Sequence, residues 1–162
     1  MHTLNVFVSR TDTWLGSCIR RILGGDYNHC SFSFDENFSS LFAYSRLYKG
    51  LWFTGCFCTE SVDRYLNYEV FQIEITDEQY KELRVFLVDL SRTYRIYNYL
   101  SALVLPFGWS IPDDYHYLCS TFVARVLECY SGVVLEKDYS LYRPMDVYNL
   151  LKELKYENKT SN

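Results

Sequence analysis

Cys119 and the three histidines His2, His29 and His116 are side chains that could together perform nucleophilic chemistry in this 162-residue chain. A thiol titrates near ~8.5 and attacks a carbonyl only as the thiolate, so it needs a neighbouring base, a helix N-terminus, or both. From Cys119 onward, apolar side chains recur at Phe122, Val123, Val126 and Leu127, the spacing of one helical face, and Cys119 belongs to that face. Arg125 and Glu128 fall elsewhere on the wheel. The spacing predicts a helix that buries its Cys119 side and holds the thiol in its first turn. Unpaired N–H groups and the positive end of the helix dipole favour a thiolate there. The same pattern also fits an inert core cysteine.

Histidine is the side chain suited to taking and returning a thiol proton near neutral pH. His2 sits at the terminus without a framework, and His116 lies in a predicted loop three residues before Cys119. His29 opens a predicted strand and is the best placed of the three. Alternation along His29–Asp35 puts Cys30, Phe32 and Phe34 on one face and His29, Ser31 and Ser33 on the other. A face of two serines and a histidine either meets solvent or lines a cleft.

The elements that must position these groups follow from the same periodicities. Leu4–Ser9 reads as a strand. Trp14–Leu23 reads as a helix, with apolar residues at 14, 15, 18, 19, 22 and 23, a capping Thr11-Asp12-Thr13 before it and Gly24-Gly25-Asp26 ending it. After the His29 strand and a turn at Asp35-Glu36-Asn37, strands are predicted over Leu41–Leu47, Gly50–Thr59 and Tyr65–Ile75. Thr76-Asp77-Glu78-Gln79 has the capping-box form and opens a helix to Leu90. A shorter helix covers Asn98–Leu105 and is broken by Pro106-Phe107-Gly108. The Cys119 helix follows, and Pro144 starts a last helix that runs to about Lys155. The order predicts an α+β domain, a mostly antiparallel sheet flanked by helices, over residues 1–155, with 156–162 a polar C-terminal tail.

Apolar residues make up 49% and charged residues 22%, which excludes a disordered chain, and the length suits one domain with a sizeable core. A net charge of −4 gives no general basis for binding nucleic acid. The start of the chain reads as a strand rather than a signal peptide, and no stretch reaches the roughly 18 apolar residues of a membrane span, so a cytoplasmic protein is expected. Its six cysteines are then expected to be reduced. Cys56-Phe57-Cys58 would put two thiols on one strand face, but a lone pair of this kind is a weak zinc signal. No metal and no cofactor is expected.

Several runs carry a resemblance. They are Val8-Ser9-Arg10-Thr11-Asp12-Thr13 leading into a helix, Gly24 to Asp35 with its Tyr27-Asn28-His29, Leu118-Cys119-Ser120-Thr121-Phe122-Val123 with the helix after it, and Tyr142-Arg143-Pro144-Met145-Asp146-Val147. Together, over roughly residues 4 to 152, the chain resembles the circularly permuted branch of the NlpC-type papain-like cysteine hydrolases, which includes YiiX-like bacterial proteins and lecithin:retinol acyltransferase-like enzymes. In papain-like enzymes of ordinary topology the cysteine helix precedes the histidine strand. Here His29 precedes Cys119, the order of the permuted branch. The resemblance implies Cys119 as nucleophile, His29 as general base, and a polar residue on a nearby strand as the third, orienting group. On the Leu41–Leu47 strand the available polar groups are Tyr44 and Ser45, and Ser45 is the nominee; a backbone carbonyl or a water could serve instead. Asp35 is about six residues along the strand from His29, roughly 20 Å, too far to orient it. Tyr115 or Tyr117 could add a phenolic donor at the oxyanion, beside the Cys119 backbone N–H. Leu118 stands where many non-permuted members have an acid, which bears on substrate recognition.

These residues lead to a cysteine hydrolase of the peptidase or amidase type, acting on a peptide or other amide through an acyl-enzyme. Two alternatives remain: an acyltransferase or thioesterase on lipid or thioester acyl groups, and an inactive binding module of the same fold. The substrate and the oligomeric state are not encoded in any motif.

Overall fold

A computed structural model of the chain describes residues 1–12, 17, 20–22, 24–46, 55–92, 98–111 and 117–160, the side chains of 46, 55, 56, 99 and 156–160 not among them. The fold is α+β. Its strands are β1 (His2–Thr11), β2 (His29–Ser33), β3 (Leu41–Arg46), β4 (Gly55–Glu60) and β5 (Tyr65–Ile75), and its helices are α1 (Asp77–Arg92), α2 (Tyr99–Val104), α3 (Cys119–Tyr130) and α4 (Pro144–Thr160). Ser17 and Arg20–Ile22 are also helical; the rest of the helix predicted over Trp14–Leu23 lies outside the described residues. The strands form one antiparallel sheet in the order β4-β3-β2-β1-β5.

Sheet register decides which side chains share a face. Val6 opposes Phe32 and Phe71, and Val8 opposes Cys30. With Leu4, Tyr44 and Ile75 they form the floor against which Leu83, Leu87 and Leu90 of α1, Phe122, Val123 and Leu127 of α3, and Val147 and Leu151 of α4 pack. Phe122 is the hub of an aromatic cluster, with ring centroids 5.1 Å from Tyr44, 5.5 Å from Phe32 and 5.8 Å from Phe57. The opposite face carries Asn5, Phe7, Ser9, His29, Ser31 and Ser33, and these are buried as well. It lines an interior and does not face solvent.

The link between β4 and β5 explains that second interior. The two strands are the opposite edges of the sheet, four strand spacings apart, or roughly 19 Å if the sheet were flat. Yet Ser61 and a single 3₁₀ turn, Val62–Arg64, connect them. A turn of this kind rises ~2 Å per residue, so the connection reaches only about 13 Å. The sheet must therefore curl until its edges approach, enclosing the polar face. The hydrogen bond from Tyr65 at the start of β5 to Glu60 at the end of β4 closes the curl.

Most boundaries follow their predicted signals. Tyr65–Ile75 has the predicted limits, and Thr76 and Gln79 exchange both capping-box hydrogen bonds, Gln79 N–H to Thr76 Oγ1 at 3.2 Å and Thr76 N–H to Gln79 Oε1 at 2.8 Å. The last helix departs from expectation. It continues to Thr160, through residues expected to be a tail; the Leu151-Lys152-Glu153-Leu154-Lys155 run ahead of them is made of good helix formers, with Leu151 buried in the core. No described helix is long and apolar enough to cross a membrane.

Candidate active site

His29 is fixed by the residue before it. Asn28, buried, accepts the Thr11 N–H through Oδ1 at 2.8 Å and donates Nδ2–H to the Thr11 carbonyl at 3.2 Å, while its own N–H bonds the Ser9 carbonyl at 3.0 Å. This clamp ties the start of β2 to the end of β1, where His29 registers with Ser9. The imidazole is only 7% exposed.

Cys119 is the first residue of α3 and is 5% exposed. Thr121 Oγ1 accepts the Leu118 N–H at 2.9 Å, which sets the approach of the chain to the helix. Ser120 Oγ donates to the Tyr142 carbonyl at 2.7 Å and anchors the first turn to the segment before α4. With Phe122 seated in the aromatic cluster, the helix N-terminus is aimed at the start of β2. The sulfur lies near enough to the His29 imidazole and to the backbone N–H groups of Cys30 and Ser120 for all three to favour its charged form.

The third member is Glu60. Its Oε1 lies 2.5 Å from His29 Nε2, and its side chain is almost fully buried. That contact leaves Nδ1 of His29 for the sulfur. Glu60 Oε1 also accepts the Tyr65 hydroxyl at 2.5 Å, and Oε2 faces Arg64 Nη1 at 3.7 Å. Burial pushes the Glu60 carboxyl up, but the His29 charge and the hydrogen bonds from His29 and Tyr65 outweigh it and hold the group below its usual range. Burial likewise pushes His29 down. The Glu60 carboxylate and the Cys119 sulfur reverse this and raise the imidazole well above its ordinary value. Burial raises the Cys119 thiol, and the His29 hydrogen bond and charge, with the two N–H groups, bring it below the ordinary thiol value. The three directions agree: each group is shifted toward its charged form, thiolate, imidazolium and carboxylate in a row.

The structure thus brings Cys119 and His29 together and supplies a different orienting group from the one nominated. Ser45 Oγ is 3.2 Å from Cys58 Sγ, and Ser45 pairs across the ladder with Cys56. Its hydroxyl is engaged by Cys58, and the group on His29 Nε2 is the Glu60 carboxylate. Asp35 binds the N–H groups of Asn37 and Ser39 and builds the turn after β2. Tyr117 is 3% exposed, its ring packed against Tyr44 and Phe122, a core position. Tyr115 and His116 lie outside the described residues. Cys58 is a free thiol, the Cys56 side chain is not described, and no cluster of three metal-binding side chains occurs among the described residues.

Glu60 left a trace in the sequence. It follows Cys58 by two positions, so it shares the strand face on which the Cys56 and Cys58 thiols were expected. What the sequence lacked was the curl that carries this edge strand over His29.

The chain matches no protein-family model, no curated protein and no solved structure.

Proposed function

We propose that this protein is a cysteine hydrolase of the peptidase or amidase type, with Cys119 as nucleophile, His29 as general acid and base, and Glu60 as the group that orients and neutralises the imidazolium. The fold assignment that accompanies this reading is a circularly permuted papain-like domain of the NlpC type, on the resemblance in the Cys119 and His29 runs and their reversed order. The observation that carries the reading is the buried row of Cys119, His29 and Glu60, with the thiol lowered and the imidazole raised. Three ionisable groups desolvated together each cost free energy unless the others offset it, and such clusters concentrate at functional sites.

The chemistry follows from the groups. The Cys119 thiolate forms a C–S bond to the substrate carbonyl carbon while the carbonyl π pair moves to oxygen, where the Cys119 backbone N–H at the start of α3 receives the developing charge. Collapse of this intermediate expels the amine, which takes the proton from His29. Water then attacks the thioester, giving its proton to His29, and the acid leaves as the thiolate re-forms.

A second reading, an acyltransferase or thioesterase, is favoured by one surface. Residues 98–111 carry no charged side chain, and Leu100, Leu103, Phe107 and Trp109 are exposed. This segment is tied to the lead-in of α3, two residues before Cys119, by the Asn98 N–H bonded to the Tyr117 carbonyl. Such a surface suits the acyl chain of a lipid or thioester.

A thiol-directed electrophile with mass mapping tests the common chemistry. Cys119 should be modified faster than Cys30, Cys58 and Cys129, whose thiols burial raises, and His29→Ala should remove its advantage. Equal labelling would refute the reading and leave a binding module. Comparison of chromogenic peptide amides with long-chain acyl thioesters separates the two substrate classes.

A further inference from the structure

Glu60 Oε1 receives two donors, His29 Nε2–H and the Tyr65 hydroxyl, each at 2.5 Å. The Tyr65 oxygen in turn lies 2.7 Å from Ser31 Oγ. A phenol has one proton and an ionised carboxylate has none, so the Tyr65 proton must point at Glu60, and Ser31 must then donate to Tyr65. The direction of the chain is fixed: Ser31 to Tyr65 to Glu60, with His29 meeting the same oxygen from the other side. Ser31 is fully buried, and Tyr65 and Glu60 nearly so, at 9% and 8% exposed.

We propose that Tyr65 is a positioning residue of the Cys119–His29–Glu60 site: its hydroxyl, oriented by Ser31, holds the Glu60 carboxylate in the rotamer that meets His29 Nε2. This inference rests on the cysteine-hydrolase reading of the same site. The backbone supplies the means. Tyr65 opens β5 and pairs with Thr11, so its ring is anchored in the sheet, while the curl over Ser61–Arg64 returns the hydroxyl to the acid five residues earlier. The ring also stands at 60° to the imidazole, with centroids 5.8 Å apart, and walls the side of the site. Without the hydroxyl a desolvated carboxylate keeps one donor fewer on Oε1, takes up a proton more readily, and no longer balances the imidazolium. Burial and the Glu60 charge keep the Tyr65 phenol protonated across the working range, so it stays a donor.

The test is the His29 titration followed by NMR of the imidazole C–H signals, tractable because the chain has three histidines. In the wild type the His29 midpoint should lie above that of a free imidazole. Tyr65→Phe, which keeps the ring and removes the hydroxyl, should lower it by about one pH unit, near the lower end of what a charged hydrogen-bonding partner contributes. The rate of Cys119 alkylation on the acid side of neutrality should fall about tenfold with it. Ser31→Ala should shift the midpoint in the same direction by less, and it serves as the deciding variant if Tyr65→Phe does not fold. A raised wild-type midpoint that neither variant moves overturns the role of Tyr65 and leaves the hydrolase reading standing. A wild-type midpoint at the ordinary value, with no selective labelling of Cys119, overturns both.

Discussion

Glu60→Gln would remove one charge from the buried row and keep its shape, which makes it the sharpest perturbation of the site. The Glu60 Oε1 to His29 Nε2 distance of 2.5 Å puts the two charge centres about 4 Å apart. At an effective dielectric of ~20 the pair is worth roughly 4 kcal/mol, equivalent at ~1.36 kcal/mol per pH unit to an upper bound of about three units on His29. Carboxylate partners at this range shift a neighbour by about one to three units. Burial already pulls His29 down, so without Glu60 the imidazole gives up its proton more readily and the Cys119 sulfur loses part of the counter-charge that favours its thiolate. Alkylation of Cys119 by a small electrophile at pH ~7 should therefore fall ten- to hundredfold, with labelling of Cys129 unchanged. Stability follows the same linkage. Glu60, lowered from 4.5, contributes stability that is present above that value and lost as pH falls through its folded one. His29, raised from 6.5, contributes stability that is full below that value and lost as pH rises through its folded one. The melting-temperature gap between wild type and Glu60→Gln should be widest between pH 4.5 and 6.5 and should close on both sides. A gap independent of pH, or an unchanged alkylation rate, would refute the ion-pair argument.

Other expected outcomes concern the scaffold. Phe122→Ala, at the hub of the ring cluster and fully buried, should cost about 3–5 kcal/mol, read as a lower urea midpoint at unchanged slope. Thr76→Ala deletes the cap of α1 and should cost about 1 kcal/mol, a melting shift of roughly 2–4 °C. Gly25 has φ +104°, and a Cβ there would stand 2.3 Å from Met145 Cγ. Gly25→Ala should therefore destabilise by about 2 kcal/mol or more, and Met145→Ala should cost less in that background than in wild type, a coupling that a double-mutant cycle by denaturant titration would measure. Additive costs would show that the backbone conformation alone is responsible.

The parts of the site that were legible are those set by local pattern. Cys119 was readable because its helical face repeats every turn, and His29 because strict alternation marks β2 and leaves few histidines to choose from. Glu60 and Tyr65 were hidden by geometry that no local period encodes. Ser45 was nominated on the assumption that the strand next to β2 supplies the orienting group. The curl of the sheet brings in the next strand, β4, and the start of β5 from the far edge. The polar His29-Ser31-Ser33 face left two meanings open for the same reason. Its burial depends on the short Ser61–Arg64 connection, and connection length is read as a constraint only once the strand order is known. The last helix shows the converse, a polar stretch expected to be a tail that continues the helix.

The described strands of the sheet all lie within residues 2–75, and Cys119 comes long after them. As a chain emerges from the ribosome, its earlier part can organise first. Imidazole, acid and phenol can then stand assembled while the sulfur has yet to be made. On the proposed reading, the site would be complete only once α3 and the Tyr142 segment that anchors its first turn have both emerged, and a product cut short before them would carry base and acid without the sulfur.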